Sequence, residues 1–503
     1  MQSVSSWNRP LTLRQAQLIC LCALALHVLP LILADAMYLD DVWRAQTAIG
    51  HWSGEGRLLT QWLHAGLGFS GGAINLFPLP LLLVLPVVAY ALARLAQHYF
   101  IEPRPCDLLV VLPLWYSPFF LQNLSYQYDG PAMALGVSAM ILAITVGPRR
   151  LLAGAALIAC GLGFYQVTLN LFVGLCCIEA VRGLLRGDEL TRVLGAAGRR
   201  LLQALSGGVL YVLLALPWMS GQRLALLAFD SAWPGEVLRR LGVVFEHVAL
   251  WFTPGNLILA IGLGLLALIG VLRSVPALRS AYGVGGLLVR GIGLSLVLLV
   301  LLSMTSGIML IFAYFIHGAR TLMGFACVLV LLLYLARRGL GEASPHRALI
   351  LGLPLLSMLS LAYAYGRVLE AQKAQTAAIA QYIGQDILSH PELDKARAFY
   401  LLESNQSDGW LPAASGALTR APLLALIRSS DFVLLPEMMT QVGMGQFYLN
   451  SSANQSPPPA WQADALAARG GTPVVDNRFY RIYLIDQQGY VVTKPQHRPW
   501  TLP

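Results

Sequence analysis

Apolar residues fall in long blocks from about position 11 to position 366, and then the sequence becomes mixed. Each block approaches the ~20 residues that cross a bilayer core as a helix. Eleven spans are predicted, over 15–34, 75–97, 107–122, 131–147, 151–166, 168–182, 201–219, 248–272, 285–304, 320–336 and 348–366. The fifth and sixth meet at Tyr165-Gln166 with almost no loop, which puts that turn at the membrane edge. The segment 35–74 is too long for a turn and too polar to span. Within it Leu39, Val42, Trp43 and Gln46 mark one face, and Leu58, Leu59, Trp62, Leu63 and Gly66 another. That i, i+3, i+4 spacing predicts two helices lying flat at the membrane surface. Trp43, Trp52 and Trp62 suit the headgroup level. Gly54-Glu55-Gly56 breaks the helical pattern between them and delivers Arg57 to a turn.

The tail, 367–503, has a water-soluble pattern. Positions 367–387 predict an amphipathic helix leaving the last span. Ala398-Phe399-Tyr400-Leu401-Leu402 predicts a buried strand, and 479–485 with 490–492 a hairpin turned at Gln487-Gln488-Gly489. Ser456-Pro457-Pro458-Pro459 predicts a loop. The expected class is an all-α polytopic membrane protein, 1–366, followed by a periplasmic α/β domain, 367–503.

Composition agrees. Charged residues are 12% of the chain and apolar ones 57%, against about 25% charged in ordinary soluble domains. The net charge of +9 follows from topology. One set of connections carries seventeen arginines, from Arg9 and Arg14 to Arg347; the opposite set carries six, Arg44, Arg57, Arg223, Arg239, Arg240 and Arg320. The excess marks the cytoplasmic side, so the N-terminus is expected inside and the tail outside. The tail's 11 basic and 11 acidic residues balance. Nothing calls for nucleic acid, and no Gly-rich phosphate loop follows a strand. The first span is not read as a cleavable signal, because no small-x-small site follows it. All seven cysteines lie in or beside spans, so the tail has no disulfides, and no cysteine–histidine metal spacing occurs.

Sorted by topology, the polar residues concentrate on the outer face. Asp40, Asp41, Arg44, Glu55 and Arg57 lie in the first outer loop. Tyr126, Gln127 and Asp129 precede the fourth span, Tyr165-Gln166 forms the fifth-to-sixth turn, and His317 and Arg320 enter the tenth span. Carboxylates and cations near lipid are costly and point to function. Blander roles compete with this reading. Asp40 and Arg44 at i, i+4 also suit an exposed ion pair worth ~0.3–0.5 kcal/mol. His317 and Arg320 suit a helix end meeting headgroups, and Tyr165-Gln166 a polar helix contact; for Glu246-His247 a role without chemistry is favoured.

Asp40-Asp41-Val42-Trp43-Arg44 followed by Trp52-Ser53-Gly54-Glu55-Gly56-Arg57 resembles the first loop of the type II O-antigen glucosyltransferase family, bacterial multi-span enzymes of the GT-C class. Leu124-Ser125-Tyr126-Gln127-Tyr128-Asp129, the Phe164-Tyr165-Gln166 turn and Arg320 resemble its later pattern. The likeness covers most of the span region. It departs at Gln127, where a basic residue is expected. The resemblance implies transfer of a hexose from undecaprenyl-phosphate-sugar to a glycan such as O-antigen in the periplasm. The acceptor hydroxyl needs a carboxylate to take its proton, a role for Asp40 or Asp41, with Asp40 the first choice. The leaving phosphate needs cationic clamps, for which Arg44, Arg57 and Arg320 are candidates. Tyr126, Gln127, Asp129, Tyr165, Gln166 and His317 are candidates for substrate contact. A divalent ion could bridge Asp40-Asp41 and the phosphate, but cationic side chains can replace it, and no metal or other cofactor is the favoured expectation. An O-antigen polymerase or ligase is the second reading, but such enzymes carry a large loop between late spans. A lipid-linked glycan flippase is the third, and it predicts charged or broken helices at the bilayer midplane.

Overall fold

The computed structural model describes residues 9–219, 225–341, 346–402, 411–428, 435, 438–449 and 472–494. The expected loop at 456–459 and Arg223 lie outside the described residues. The chain forms two units. One holds Met1–Leu33, Ala48–Tyr365 and Arg420–Ile427; the other holds Ala34–Thr47, Gly366–Thr419 and Arg428–Pro503.

In chain order the principal helices are α1 (Leu13–Ala34), α2 (Asp41–Thr47), α3 (Leu58–Gly68), α4 (Leu79–Tyr99), α5 (Pro105–Val111), α6 (Pro113–Tyr116), α7 (Phe120–Ser125), α8 (Asp129–Thr145), α9 (Leu151–Phe164), α10 (Leu169–Arg186), α11 (Leu190–Ala215), α12 (Trp233–Ala249), α13 (Pro254–Leu272), α14 (Val275–Ser303), α15 (Phe325–Leu340) and α16 (Arg347–Ser389). Among the described residues seven helices are long and apolar enough to cross a membrane: α1, α4, α10, α11, α13, α14 and α16. Shorter apolar helical stretches cover Pro105–Tyr116, Asp129–Thr145 and Leu151–Phe164.

The expected spans at 248–272 and 320–336 start later, at Pro254 and Phe325, and those at 107–122 and 285–304 differ in detail. The stretch 107–122 is three short helices, α5, α6 and α7, because Pro113 starts a new helix and Ser117 is held extended (φ −48°, ψ 128°) before Pro118. α14 begins well before the expected 285 and is interrupted at Gly283, whose φ of 64° suits glycine alone.

Within the first unit α8 packs on α4 and α9, α9 on α11, and α13 on α15. The α13–α15 crossing is tightest at Gly270 and Gly339. A Cβ on Gly270 would stand 2.1 Å from the Leu335 carbonyl oxygen, and one on Gly339 2.0 Å from that of Leu266. Small residues at a crossing let two apolar helices approach where lipid offers no hydrophobic drive. Several arginines read only as topology markers also close helix ends. Arg200 donates to Glu179 (2.9 and 3.0 Å) and to the Ala143 and Ile144 carbonyls (3.0 and 2.7 Å). Arg182 reaches the Tyr99 carbonyl at 2.8 Å, and Arg290 that of Asp188 at 2.7 Å. These are carbonyls of the kind that a helix terminus leaves without a partner.

In the second unit the sheet order is β2-β1-β5-β4-β3, with β1 (Ala398–Leu402), β2 (Phe447–Leu449), β3 (Val475–Asp476), β4 (Tyr480–Ile485) and β5 (Gln488–Thr493). β1 runs parallel to β2 and β5; β4 runs antiparallel to β3 and β5. Ala380, Ile383 and Ile387 of α16 bury against Phe399, Leu401, Tyr480, Ile482 and Val491. The hairpin turns at Asp486-Gln487, not at Gln487-Gln488-Gly489. Ile485 pairs with Gln488, and both turn residues take positive φ (52° and 60°), as a two-residue primed turn requires.

Candidate active site

The acidic pair lies in the second unit. Leu39 adopts a left-handed φ of 47° directly before Asp40, a conformation costing about 1–3 kcal/mol outside glycine. The turn is locked from both sides. The Asp41 carboxylate accepts the Tyr38 N–H at 3.0 Å, and the Asp41 N–H donates to the Tyr38 carbonyl at 3.1 Å. The Asp41 side chain is fully buried and Tyr38 is 1% exposed. Asp40 opens α2, its carbonyl accepting the Arg44 N–H. Its carboxylate is 49% exposed and stands 3.5 Å from Arg44, which is itself buried. The two neighbours therefore differ: Asp41 shapes the turn, and Asp40 offers a carboxylate to solvent. The same unit ties both ends of this segment. Lys373 of α16 donates to the Asp35 carbonyl at 2.6 Å, and Gln46 donates to Thr440.

A second set of polar residues gathers in the first unit, at helix ends. Gly56, with φ 75°, closes the turn Ser53–Glu55, and Arg57 follows it as the cap of α3. A side chain at Gly56 would strike the Tyr211 hydroxyl at 2.4 Å. Arg57 Nη1 meets Asp129 Oδ1 at 3.2 Å and Glu55 at 3.4 Å, and its guanidinium lies 4.9 Å from the centre of the Tyr165 ring. Trp52 Nε1 donates to the same Asp129 oxygen at 2.7 Å. Asp129 is 2% exposed at the start of α8. Burial alone would lower the Arg57 pKa; Asp129 and then Glu55 outweigh it and raise the pKa above its ordinary value, with Arg320 opposing. Gln166 donates to the Glu55 carbonyl at 2.7 Å and to the Tyr211 hydroxyl at 2.9 Å, fixing the turn. His64 stacks on Trp52 with centroids 4.7 Å apart and bonds the Tyr128 carbonyl at 2.9 Å.

Arg320 lies in the short turn Ala319–Thr321 before α15. Its Nη1 donates to the Tyr126 hydroxyl at 2.6 Å, its N–H to Gln122 Oε1 at 2.6 Å, and its carbonyl accepts from Asn123 at 3.2 Å. Its charge acts on Arg57 and Tyr165 alike, so the two arginines share one electrostatic neighbourhood. The loop before Arg320 is held by α12. Arg240 pairs with Glu236 at 2.7 Å and donates to the Leu310 and Phe312 carbonyls at 3.1 and 2.6 Å.

Of the sequence-predicted residues, Arg57, Asp129, Tyr165, Gln166, Tyr126 and Arg320 lie in this connected set. Gln127 is buried and accepts from Asn75 at 2.9 Å. His317 is exposed; its carbonyl accepts from His247 Nδ1 at 2.9 Å, and the two rings lie 5.2 Å apart. Sequence reasoning put Trp52 in the interfacial belt, but the residue is fully buried. It also missed His64, Asn75, Tyr211 and Arg240. The one available signal for Trp52 was its place directly before the Ser53-Gly54-Glu55-Gly56-Arg57 turn.

The fold and the site together describe a helical protein of membrane type, with arginines, carboxylates and aromatic rings gathered where its helices end. A family profile described as Glucosyl transferase GtrII matches residues 29–331, and the chain belongs to that family. The match includes every candidate site residue from Asp40 to Arg320 and agrees with the resemblance seen in the first loop. The chain is also similar to a Salmonella phage P22 protein described as an uncharacterized 55.3 kDa protein in the gtrB 5′ region, 28% identical over 151 residues. That alignment covers 29% of this chain and 31% of the relative, so the chain spans about a third of the length of the curated relative it matches. No solved structure matches.

Proposed function

We propose that this protein is a GT-C glycosyltransferase that moves glucose from undecaprenyl-phosphate-glucose to a lipid-linked or surface glycan such as O-antigen. The reaction takes place on the periplasmic side of the bacterial inner membrane, with the N-terminus cytoplasmic, eleven spans over 1–366, and the tail domain, 367–503, in the periplasm. Family membership supports a glucosyl transferase. The observation that carries the donor assignment is the pairing of two anchored arginines: Arg57, fixed by Asp129 and Glu55 over Tyr165, and Arg320, fixed by Tyr126.

In this reading an acceptor hydroxyl attacks the anomeric carbon of the donor sugar. Its proton passes to the Asp40 carboxylate as the new C–O bond forms. The bond from the anomeric carbon to the phosphate oxygen breaks, and the polyprenyl phosphate leaves with the electron pair. Arg57 and Arg320 stabilise the charge that grows on that phosphate, with Arg44 close to the base. A single displacement inverts the anomeric configuration. Asp41 keeps Asp40 in place by holding the Tyr38 turn, and Asp129 keeps Arg57 aimed.

The test is transfer by purified protein in detergent, with undecaprenyl-phosphate-glucose as donor. Loss of one charge-assisted contact costs about 1.5–3 kcal/mol, or about 10- to 150-fold. Arg57→Ala and Arg320→Ala should each raise donor KM by a factor in that range. Wild-type donor kinetics in both variants would remove the arginines from the site.

A further inference from the structure

A cavity of about 410 Å³ opens beside the turn that carries Glu55 and Arg57. Ser53 and Leu58, which bracket those residues in the chain, line it. Its polar lining comes from His51, Ser53 and Gln61. Two indoles complete it: Trp62, from α3, and Trp218, from the short turn Leu216–Trp218 after α11. They are 61% and 60% exposed, although they come from distant parts of the chain. Gly71 and Gly72 also line the cavity.

Tryptophan near a membrane has an ordinary explanation, as a headgroup anchor. Here two indoles line one concave space together with amide, hydroxyl and imidazole groups, in a cavity of the size that holds a small ligand. Sugars present the complementary chemistry: an apolar C–H face for an indole, and hydroxyls around the rim for Gln61, Ser53 and His51.

We propose that this cavity is the acceptor subsite, holding one or two sugar residues of the glycan chain between Trp62 and Trp218. The proposal rests on the glycosyltransferase reading above and adds to it where the acceptor lies. Ser53 and Leu58 line the cavity and flank Glu55 and Arg57 in the chain, so a glycan seated there would sit beside the turn that carries Arg57.

The test uses full-length protein in detergent, with O-polysaccharide released by mild acid from the lipopolysaccharide of the organism encoding the chain. Two readouts are taken: quenching of tryptophan fluorescence by the polysaccharide without donor, and acceptor and donor KM in the transfer assay. Trp62→Ala and Trp218→Ala should each weaken polysaccharide binding and raise acceptor KM about tenfold or more, as truncating an aromatic anchor does, with donor KM unchanged. Trp62→Phe, which keeps an aromatic face, should recover most of the loss. Unchanged binding and acceptor KM in both alanine variants would overturn the proposal. So would an equal rise in donor KM, which is the result expected of membrane anchors. If the wild-type protein transfers no sugar, the donor reading fails, and the binding readout still decides the subsite.

Discussion

Asp129→Asn keeps the shape of the side chain and removes its charge. Asp129 and Arg57 form a shielded pair, 3% and 16% exposed at the side chain. Removing one partner of such a pair typically costs about 3–5 kcal/mol, because the other charge stays behind in a poor solvent. Two features soften that here. Glu55 still faces Arg57 at 3.4 Å, and an asparagine oxygen can still accept the Trp52 indole N–H, now at 2.7 Å. The expected loss of stability is therefore about 2–3 kcal/mol. It should be measured by unfolding of the detergent-solubilised protein, with donor KM measured alongside. The loss should disappear largely when Arg57 is already alanine, because no buried cation is then left unpaired. A double-mutant cycle over Asp129→Asn and Arg57→Ala should give a coupling above about 1 kcal/mol. Additive effects, within about 0.5 kcal/mol, would refute the idea that Asp129 acts through Arg57.

Reporter fusions after Arg200 and after Gln375 should report cytoplasm and periplasm respectively, from the seventeen-to-six arginine asymmetry; the same compartment for both would sink the proposed topology. The His247 pKa is lowered from its ordinary 6.5, chiefly by burial and further by His317, against the bond to the His317 carbonyl and the charge of Glu246. The unfolded chain then binds more protons just below pH 6.5, so stability should fall as pH drops through that value. His247→Gln, which can still donate to the carbonyl, should show a flatter midpoint-versus-pH curve between pH 7.5 and 5, and an unchanged slope would dismiss this titration.

The apolar helices were legible because an apolar run of helical length has little choice but to satisfy its own backbone, and seven of those found among the described residues are long enough to cross a membrane. The helices of the first loop were legible as elements, and Gly56 breaks the pattern where the Gly54-Glu55-Gly56 run suggested, but their buried sides were not: α2 buries Asp41, Val42 and Arg44, and α3 buries Leu58, Thr60 and His64. The break at Ser117-Pro118 was not seen, because hydropathy does not register what proline does to the residue before it. β2 and β3 escaped notice since strands of three and two residues carry almost no periodicity. At the site, the residue types were readable but not their division of labour. Asp40 and Asp41 look alike in sequence; only the Tyr38 turn separates an exposed carboxylate from a buried one. Asp129 and Gln166 read as substrate contacts, yet in the structure Asp129 pairs with Arg57 and Gln166 holds the Glu55 turn. Pairings across 72 and 111 positions follow from helix packing, which no local pattern encodes.

The central claim is that Asp40 takes the proton of the acceptor hydroxyl. Its most direct test is the turnover of Asp40→Asn protein with saturating undecaprenyl-phosphate-glucose and O-polysaccharide acceptor, compared with Asp41→Asn and with the double variant. Loss of a general base costs about 10²–10⁴ in rate. The account predicts that Asp40→Asn folds, binds donor with wild-type affinity, and loses turnover by that factor. Asp41→Asn should lose less turnover and more stability, since its carboxylate holds the Tyr38 turn. Near-normal turnover in both single variants and in the double variant would contradict the account.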